Sequence, residues 1–160
     1  MINMKIFFLK RITTLACVLF VFHEAVGQNN ISNSTVNWKA QWVTASEQQN
    51  ETNNWTAYNK TLKVGEVPDL AFAKIACDSK YWMWINGELA VFEGQLKRGP
   101  SPHDTYYDEV DIAPYLKKGD NDISILVWYF GKDGFSHNSS GKAALIFDCQ
   151  ASGFELLSDN

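Results

Sequence analysis

Four carboxylates lie within eight residues of one another: Asp104, Asp108, Glu109 and Asp111. A glycosidase needs two carboxylates that flank a glycosidic bond, one as acid and the other as base or nucleophile. However, strand alternation places Asp108 and Glu109 on opposite faces, and Asp111 is suited to cap the helical turn that follows. A short acidic run does not by itself build a cleft around a sugar, so we expect no catalysis at this cluster.

The same oxygen atoms could instead bind calcium, which prefers carboxylate and carbonyl ligands. Asp104 and Asp108 are the candidate ligands, although no EF-hand spacing is present. No Cys/His spacing resembles a zinc site either. The sequence therefore predicts no required cofactor and leaves Ca²⁺ open.

Two loops, residues 97–107 and 131–142, mix aromatic and hydrogen-bonding side chains. Sugar sites need this mixture, because aromatic faces cover C–H patches while polar groups bind hydroxyls. No GxSxG motif accompanies the histidines of these loops, so each is interpreted as an ordinary polar loop residue. The candidate carbohydrate-contact or cleft-lining residues are Arg98, His103, Asp104, Tyr106, Tyr107, Lys132, Asp133, Phe135 and His137.

Short strands separated by turns are predicted from Trp38 onward, with no long amphipathic helix and no internal repeat. The predicted strands are 55–62, 70–77, 81–85, 88–92, 123–130, 143–149 and 154–157. Asn86-Gly87 predicts a type I′ hairpin turn, and Asp111 is predicted as the N-cap of a helical turn over 111–116. Residues 93–110 are expected to form a long loop. This pattern predicts an all-β fold, a sandwich or jelly roll.

Three predicted strands, 81–85, 123–130 and 143–149, are apolar on both faces. A solvated face would carry polar residues instead, so something should cover the second face. The cover could be the protein's own loops, another domain or subunit, or a sugar lying on an aromatic platform. The residues assigned to an inter-domain face are Trp82, Trp84, Leu126, Trp128 and Phe130.

The N-terminus has the pattern of a secretory signal peptide: basic residues, the apolar run 12–22, and small residues at Ala25 and Gly27. The predicted segments are a signal peptide over 1–27, a flexible leader over 28–37, a β-sandwich domain over 38–150 and the start of a truncated continuation or linker over 151–160. The chain is therefore expected to be exported, to the periplasm or the medium.

The net charge of the chain bears on which molecules it can bind. The net charge of −4 becomes more negative once the basic signal peptide is removed, which argues against nucleic acid and anionic membranes as partners.

Cys77 and Cys149 remain after removal of the signal peptide. Two separate buried thiols are favoured over a disulfide, which stays an alternative because the sequence gives no distance.

Residues 39–45, 53–62 and 75–136 resemble the N-terminal domain of bacterial α-L-rhamnosidases, particularly those of the Bacteroidetes. The likeness is carried by the Asn86-Gly87 hairpin, the segment YDEVDIAPYLKKGDN (107–121) and the strand with Trp128. The hairpin and the D-I-x-x-Y-L-x-x-G-x-N pattern also occur in galactose-binding-like domains of other glycoside hydrolases. The resemblance implies a jelly-roll accessory domain placed before a large (α/α)₆ catalytic barrel, which holds the catalytic acid and base.

Because the chain ends at Asn160, before any such barrel, the resemblance implies a non-catalytic fragment with no catalytic residue of its own. The first hypothesis is an accessory domain that supports the catalytic domain of a rhamnosidase and contacts rhamnose-containing glycans. The second is a stand-alone carbohydrate-binding module. The third, a small active hydrolase, is disfavoured because the carboxylate framework is missing.

Overall fold

The computed structural model describes residues 36–44, 51–96, 105–135 and 137–159. Within them eight antiparallel strands form two four-stranded sheets. The strands are β1 (Asn54–Val64), β2 (Phe72–Cys77), β3 (Lys80–Ile85), β4 (Glu88–Gly94), β5 (Asp108–Asp111), β6 (Gly119–Tyr129), β7 (Leu145–Ala151) and β8 (Phe154–Leu157). The first sheet has the order β1-β6-β3-β4 and the second the order β5-β2-β7-β8. The predicted all-β sandwich is confirmed. Among the described residues, no helix is long and apolar enough to cross a membrane.

Strict alternation along the strands creates the core between the sheets. On β3 and β6 every second side chain is buried, beginning with Tyr81 and Asn121, while the residues between them face outward. β2 and β7 contribute Ile75 and Phe147 from the opposite sheet. Cys77 and Cys149 are buried in this core as free thiols, and burial raises the pKa of Cys149 to about 11.

The outer face of the second sheet is covered by the chain itself. Ile146 on that face is buried and clusters with Ala40 and Ala76, against which Trp38 packs. The backbone N–H groups of Lys39 and Ala40 donate to the Asp148 carboxylate, at 2.7 and 3.1 Å. The 36–44 segment is therefore the cover that the apolar second face of β7 requires.

Two local predictions were wrong. Residues 93–110 are not one loop, because β4 continues to Gly94 and β5 begins at Asp108. The helical turn is a 3₁₀ turn over Ala113–Tyr115 whose N-cap is Ile112, not Asp111. The Asp111 carboxylate nevertheless accepts hydrogen bonds from the N–H groups of Ala113 and Ala71, so it ties the turn to the start of β2.

Candidate functional site

The two loops predicted to contact carbohydrate leave the same end of the sandwich, where β2, β4 and β6 finish. The first loop is tied down at its base by Gln95, which directly follows β4. The Gln95 side chain accepts from the N–H of Cys77 at 2.7 Å and donates to Thr105 Oγ1 at 2.9 Å. Arg98, His103 and Asp104 lie outside the described residues.

The second loop is anchored by a buried polar cluster. His137 is only 4% exposed, and its Nε2 lies 3.1 Å from Asp78 Oδ1 and 3.3 Å from Ser79 Oγ. The Asp78 carboxylate also accepts from the Ser140 N–H and hydroxyl groups, further along the loop. We call Asp78, Ser79, His137 and Ser140 the loop anchor. Asp78 is buried as well, and its buried carboxylate is tolerated because the groups that contact it donate hydrogen bonds.

The loop anchor contains a serine, a histidine and an aspartate, but their geometry is not that of a nucleophilic triad. In a triad, the serine and the aspartate contact different ring nitrogens of the histidine. Here Ser79 Oγ and Asp78 Oδ1 both lie against Nε2, and Ser79 is fully buried. Ser79 also accepts from the N–H of Phe130. The cluster can therefore hold the loop to the β2–β3 turn, and the burial of His137 favours this role over sugar contact.

The carboxylates that could have formed a glycosidase pair or a calcium site have separate structural partners. Asp108 accepts from the Tyr81 hydroxyl at 2.9 Å and from the N–H of Gln95 at 2.7 Å. Burial and the neighbouring Asp108 carboxylate raise the pKa of Tyr81 well above its usual range. Glu109 is exposed and Asp111 binds backbone N–H groups. Within the described part of the chain, no three potential ligands group together to hold a metal ion.

Several of the predicted contact residues are strongly exposed. Phe135 projects fully into solvent from a tight turn in which Gly134 and His137 form an antiparallel bridge, and Tyr106 is 61% exposed. Tyr107 instead packs edge-on against Trp38, with ring centroids 5.6 Å apart. Lys132 and Asp133 are exposed.

One end of the outer face of the first sheet is aromatic. We call this surface the aromatic face; it consists of Trp55, Trp82, Trp84, Phe92, Leu126, Trp128 and Phe130. The Trp55 indole stacks against Trp128 at 4.8 Å and 7° and against Trp82 at 5.4 Å and 30°. Trp55 remains 47% exposed and Phe92 69% exposed, so the described residues leave this face open to solvent. The only ion pair on it joins Lys80 and Glu93 among the described residues.

The five residues assigned to this face from the sequence all lie on the side opposite the core. Trp55 and Phe92 were missed. The other outward positions of β1 are polar or small, and irregular pairing between β3 and β4 breaks the alternation that would have placed Phe92. The alternation of β1, in which Trp55 is outward and Thr56 is buried, was the available signal.

No family model matches the chain, and no curated protein matches it. Among solved structures, the chain is similar to the GH78 family rhamnosidase of Bacillus sp. GL1, with 30% identity and a TM-score of 0.67 over 77% of this chain and 13% of that one. The resemblance to rhamnosidases is confirmed. The α-L-rhamnosidase of Dictyoglumus thermophilum has the same fold over 77% of this chain and 16% of its own, with 18% identity and a TM-score of 0.54. This rhamnosidase-like domain thus spans only a small part of the chains it matches.

The motif that carries the rhamnosidase resemblance is structural in this domain. Asn121 is completely buried; its Oδ1 accepts from the Lys117 N–H and the Asn86 amide, at 2.8 and 2.9 Å. Asn86 stands in the predicted Asn-Gly turn, where both residues have positive φ, 53° and 83°. The pattern therefore connects the β3–β4 hairpin to the β5–β6 connection, and it contributes no reactive group.

The rhamnosidase-like domain also has a cavity of about 130 Å³ that the sequence did not reveal, between the edge strands β1 and β8. Its wall is mostly apolar and includes Tyr58, whose pKa burial raises to about 12. At its mouth Lys60 donates to the carbonyl of Leu157 and pairs with Asp159. The pairing bridges the two sheets at this edge.

Proposed function

We propose that this chain is a non-catalytic accessory domain of an α-L-rhamnosidase-like glycoside hydrolase, and that its aromatic face packs against the rest of that enzyme. The observation that carries the proposal is the open aromatic face, in a domain that matches only 13% of the Bacillus sp. GL1 rhamnosidase. Large exposed aromatic patches mark interaction surfaces. We further propose that the chain is exported, as its signal-peptide pattern predicts.

The exposed area gives the size of the effect. Completely covering Trp55 and Phe92, now 47% and 69% exposed, would contribute roughly 3 kcal/mol each at about 25 cal/mol per Å² of apolar surface. Two such residues already supply enough free energy to hold two domains of one chain together, because a covalent link removes most of the entropic cost of association.

A non-catalytic role agrees with the carboxylates of the described residues. Asp108 accepts hydrogen bonds from Tyr81 and Gln95, and Asp111 accepts them from backbone N–H groups. Neither is available as a free acid or base in a cleft. We propose that the catalytic groups belong to the partner domain.

The docking proposal is tested by measuring how much apolar surface the chain exposes alone and when it is fused to a partner domain. The full chain is compared alone and fused to the part of the Bacillus sp. GL1 rhamnosidase outside the matched region. We expect the isolated chain to bind a dye for exposed apolar surface, and the fusion to bind much less of it. A monomeric isolated chain that binds no dye, or equal dye binding per domain in the fusion, would contradict docking.

A stand-alone carbohydrate-binding module is the second candidate, favoured by the exposure of Tyr106 and Phe135 at one end of the sandwich. Isothermal titration of the isolated chain with L-rhamnose and rhamnosylated oligosaccharides separates the two functions. Appreciable binding that Phe135→Ala abolishes would favour the module. Absence of binding, with stability gained in the fusion, favours the accessory role. The same titration after chelation tests the calcium hypothesis.

A further inference from the structure

The indole N–H groups of the aromatic face fall into two kinds. Trp128 Nε1 donates to Asn53 Oδ1 at 2.8 Å, so its polar atom is already satisfied within the chain. No described residue accepts a hydrogen bond from the indole of Trp55, Trp82 or Trp84. While the face is open, water can take these three protons. Once the face is covered and dry, each would need an acceptor from the partner.

We propose that the partner is a protein surface that is apolar at its centre and presents hydrogen-bond acceptors, backbone carbonyls or carboxylates, opposite Trp55, Trp82 and Trp84. The inference rests on the proposed docking function and adds the chemistry of the complementary surface. An indole is a donor only, and leaving a buried donor unpaired costs more than its bond would contribute. A purely hydrocarbon partner surface would therefore be a poor match for this face.

A second copy of the chain does not fit this requirement. A two-fold dimer brings the same patch of both subunits together, so indole donors would face indole donors. Glu93, at the edge of the face, is already paired with Lys80 at 2.9 Å, and Ser124, opposite Trp84, offers a single hydroxyl. Symmetric pairing would thus bury several N–H groups without partners.

A sugar lying on the face also fits less well. A saccharide stacks on a free ring surface, whereas Trp55 is stacked against two other indoles, Trp82 and Trp128. An indole stacked in this way has less free ring surface for a saccharide than an isolated indole has.

The test follows the indole protons directly by NMR of ¹⁵N-tryptophan-labelled protein. Signals are assigned by single Trp→Phe substitutions, and the full chain is compared alone and in the Bacillus rhamnosidase fusion. In the isolated chain we expect the Trp128 proton to exchange slowly with solvent and those of Trp55, Trp82 and Trp84 to exchange rapidly. In the fusion these three should shift downfield and become protected, while Trp128 stays unchanged. Asn53→Ala, which removes the internal acceptor, should make Trp128 exchange rapidly in the isolated chain.

Each alternative outcome has a distinct meaning. Protection of the three protons with an upfield shift would mean cover without acceptors, which overturns this inference and leaves docking intact. No change between chain and fusion overturns both. Downfield, protected signals in a dimer of the isolated chain would assign the face to self-association and also overturn the inference. As a second readout, Trp82→Phe should lower the unfolding midpoint of the fusion by more than that of the isolated chain, in which it weakens only the ring contacts with Trp55 and Phe92.

Discussion

Removing the carboxylate at the centre of the loop anchor should destabilise the whole domain. Asp78 is 3% exposed and receives hydrogen bonds from Ser79, from His137 and from both the N–H and the hydroxyl of Ser140. Hydrogen bonds to a charged group are worth about 1.5–3 kcal/mol each, and breaking a buried pair from one side costs about 3–5 kcal/mol. Because Ser140 can turn to water, we expect Asp78→Ala to cost about 3 kcal/mol.

For a domain of this size, a loss of about 3 kcal/mol corresponds to a fall of roughly 12 °C in Tm. Thermal and urea unfolding of the isolated chain measure it, and limited trypsin digestion tests whether the loop opens at Lys132 and Lys142. Asp133→Ala is the matched control, because Asp133 is exposed and, among the described residues, accepts a single hydrogen bond, from the N–H of Ser139. It should change stability by less than about 1 kcal/mol. If Asp78→Ala unfolded at the same temperature as this control, the anchoring role would be refuted.

Three further predictions concern other parts of the fold. Asn121→Ala should cost about 2–3 kcal/mol in urea unfolding, because removal of the buried amide leaves four backbone and side-chain partners unsatisfied; a loss below about 0.5 kcal/mol, typical of a surface substitution, would contradict it. Gly94→Ala should cost about 1–3 kcal/mol, since a methyl group there would overlap the Tyr81 ring, and a neutral result would disprove the overlap. Acid should release the 36–44 segment: burial favours the protonated form of Asp148, but hydrogen bonds from Gln150, Ala40 and Lys39 and the charge of Lys74 hold its pKa below 3.8. A lowered folded-state pKa means that this stabilisation is complete above about pH 4 and is lost as the pH falls through the lowered value. Tryptophan fluorescence should report the release, and Asp148→Asn should remove that acid transition.

Most of the fold could be predicted from strand alternation, because side chains at neighbouring positions of a strand face opposite sides of the sheet. The Asn86-Gly87 turn was predictable for the same local reason, since two successive positive φ angles favour these residues. Strand β5 could not be predicted, because its four residues include three carboxylates and show no alternation of apolar side chains. Its position depends on pairing with β2 and on the hydrogen bond from the Tyr81 hydroxyl to Asp108.

The loop anchor was beyond sequence analysis for a different reason. His137 is separated from Ser79 by 58 positions, and nothing in the residues around it indicates burial. Its contacts arise only when the β6–β7 loop folds back over the β2–β3 turn. The sequence located the loop that contains His137, but it did not predict that this side chain is buried.

Both sheets carry apolar side chains on their outer side, but the described residues cover these side chains on the second sheet and leave them exposed on the first. On the second sheet, the 36–44 segment covers Ile146 and is tied by its own backbone to Asp148, so the polar groups of the cover are satisfied within the chain. On the first sheet, Trp128 is the one indole with an acceptor among the described residues, and Trp55 and Phe92 are exposed. A cover that belonged to this chain would be expected to bring its own hydrogen bonds, as the 36–44 segment does. The indoles that have no acceptor among the described residues therefore support the proposal that a separate domain completes the aromatic face.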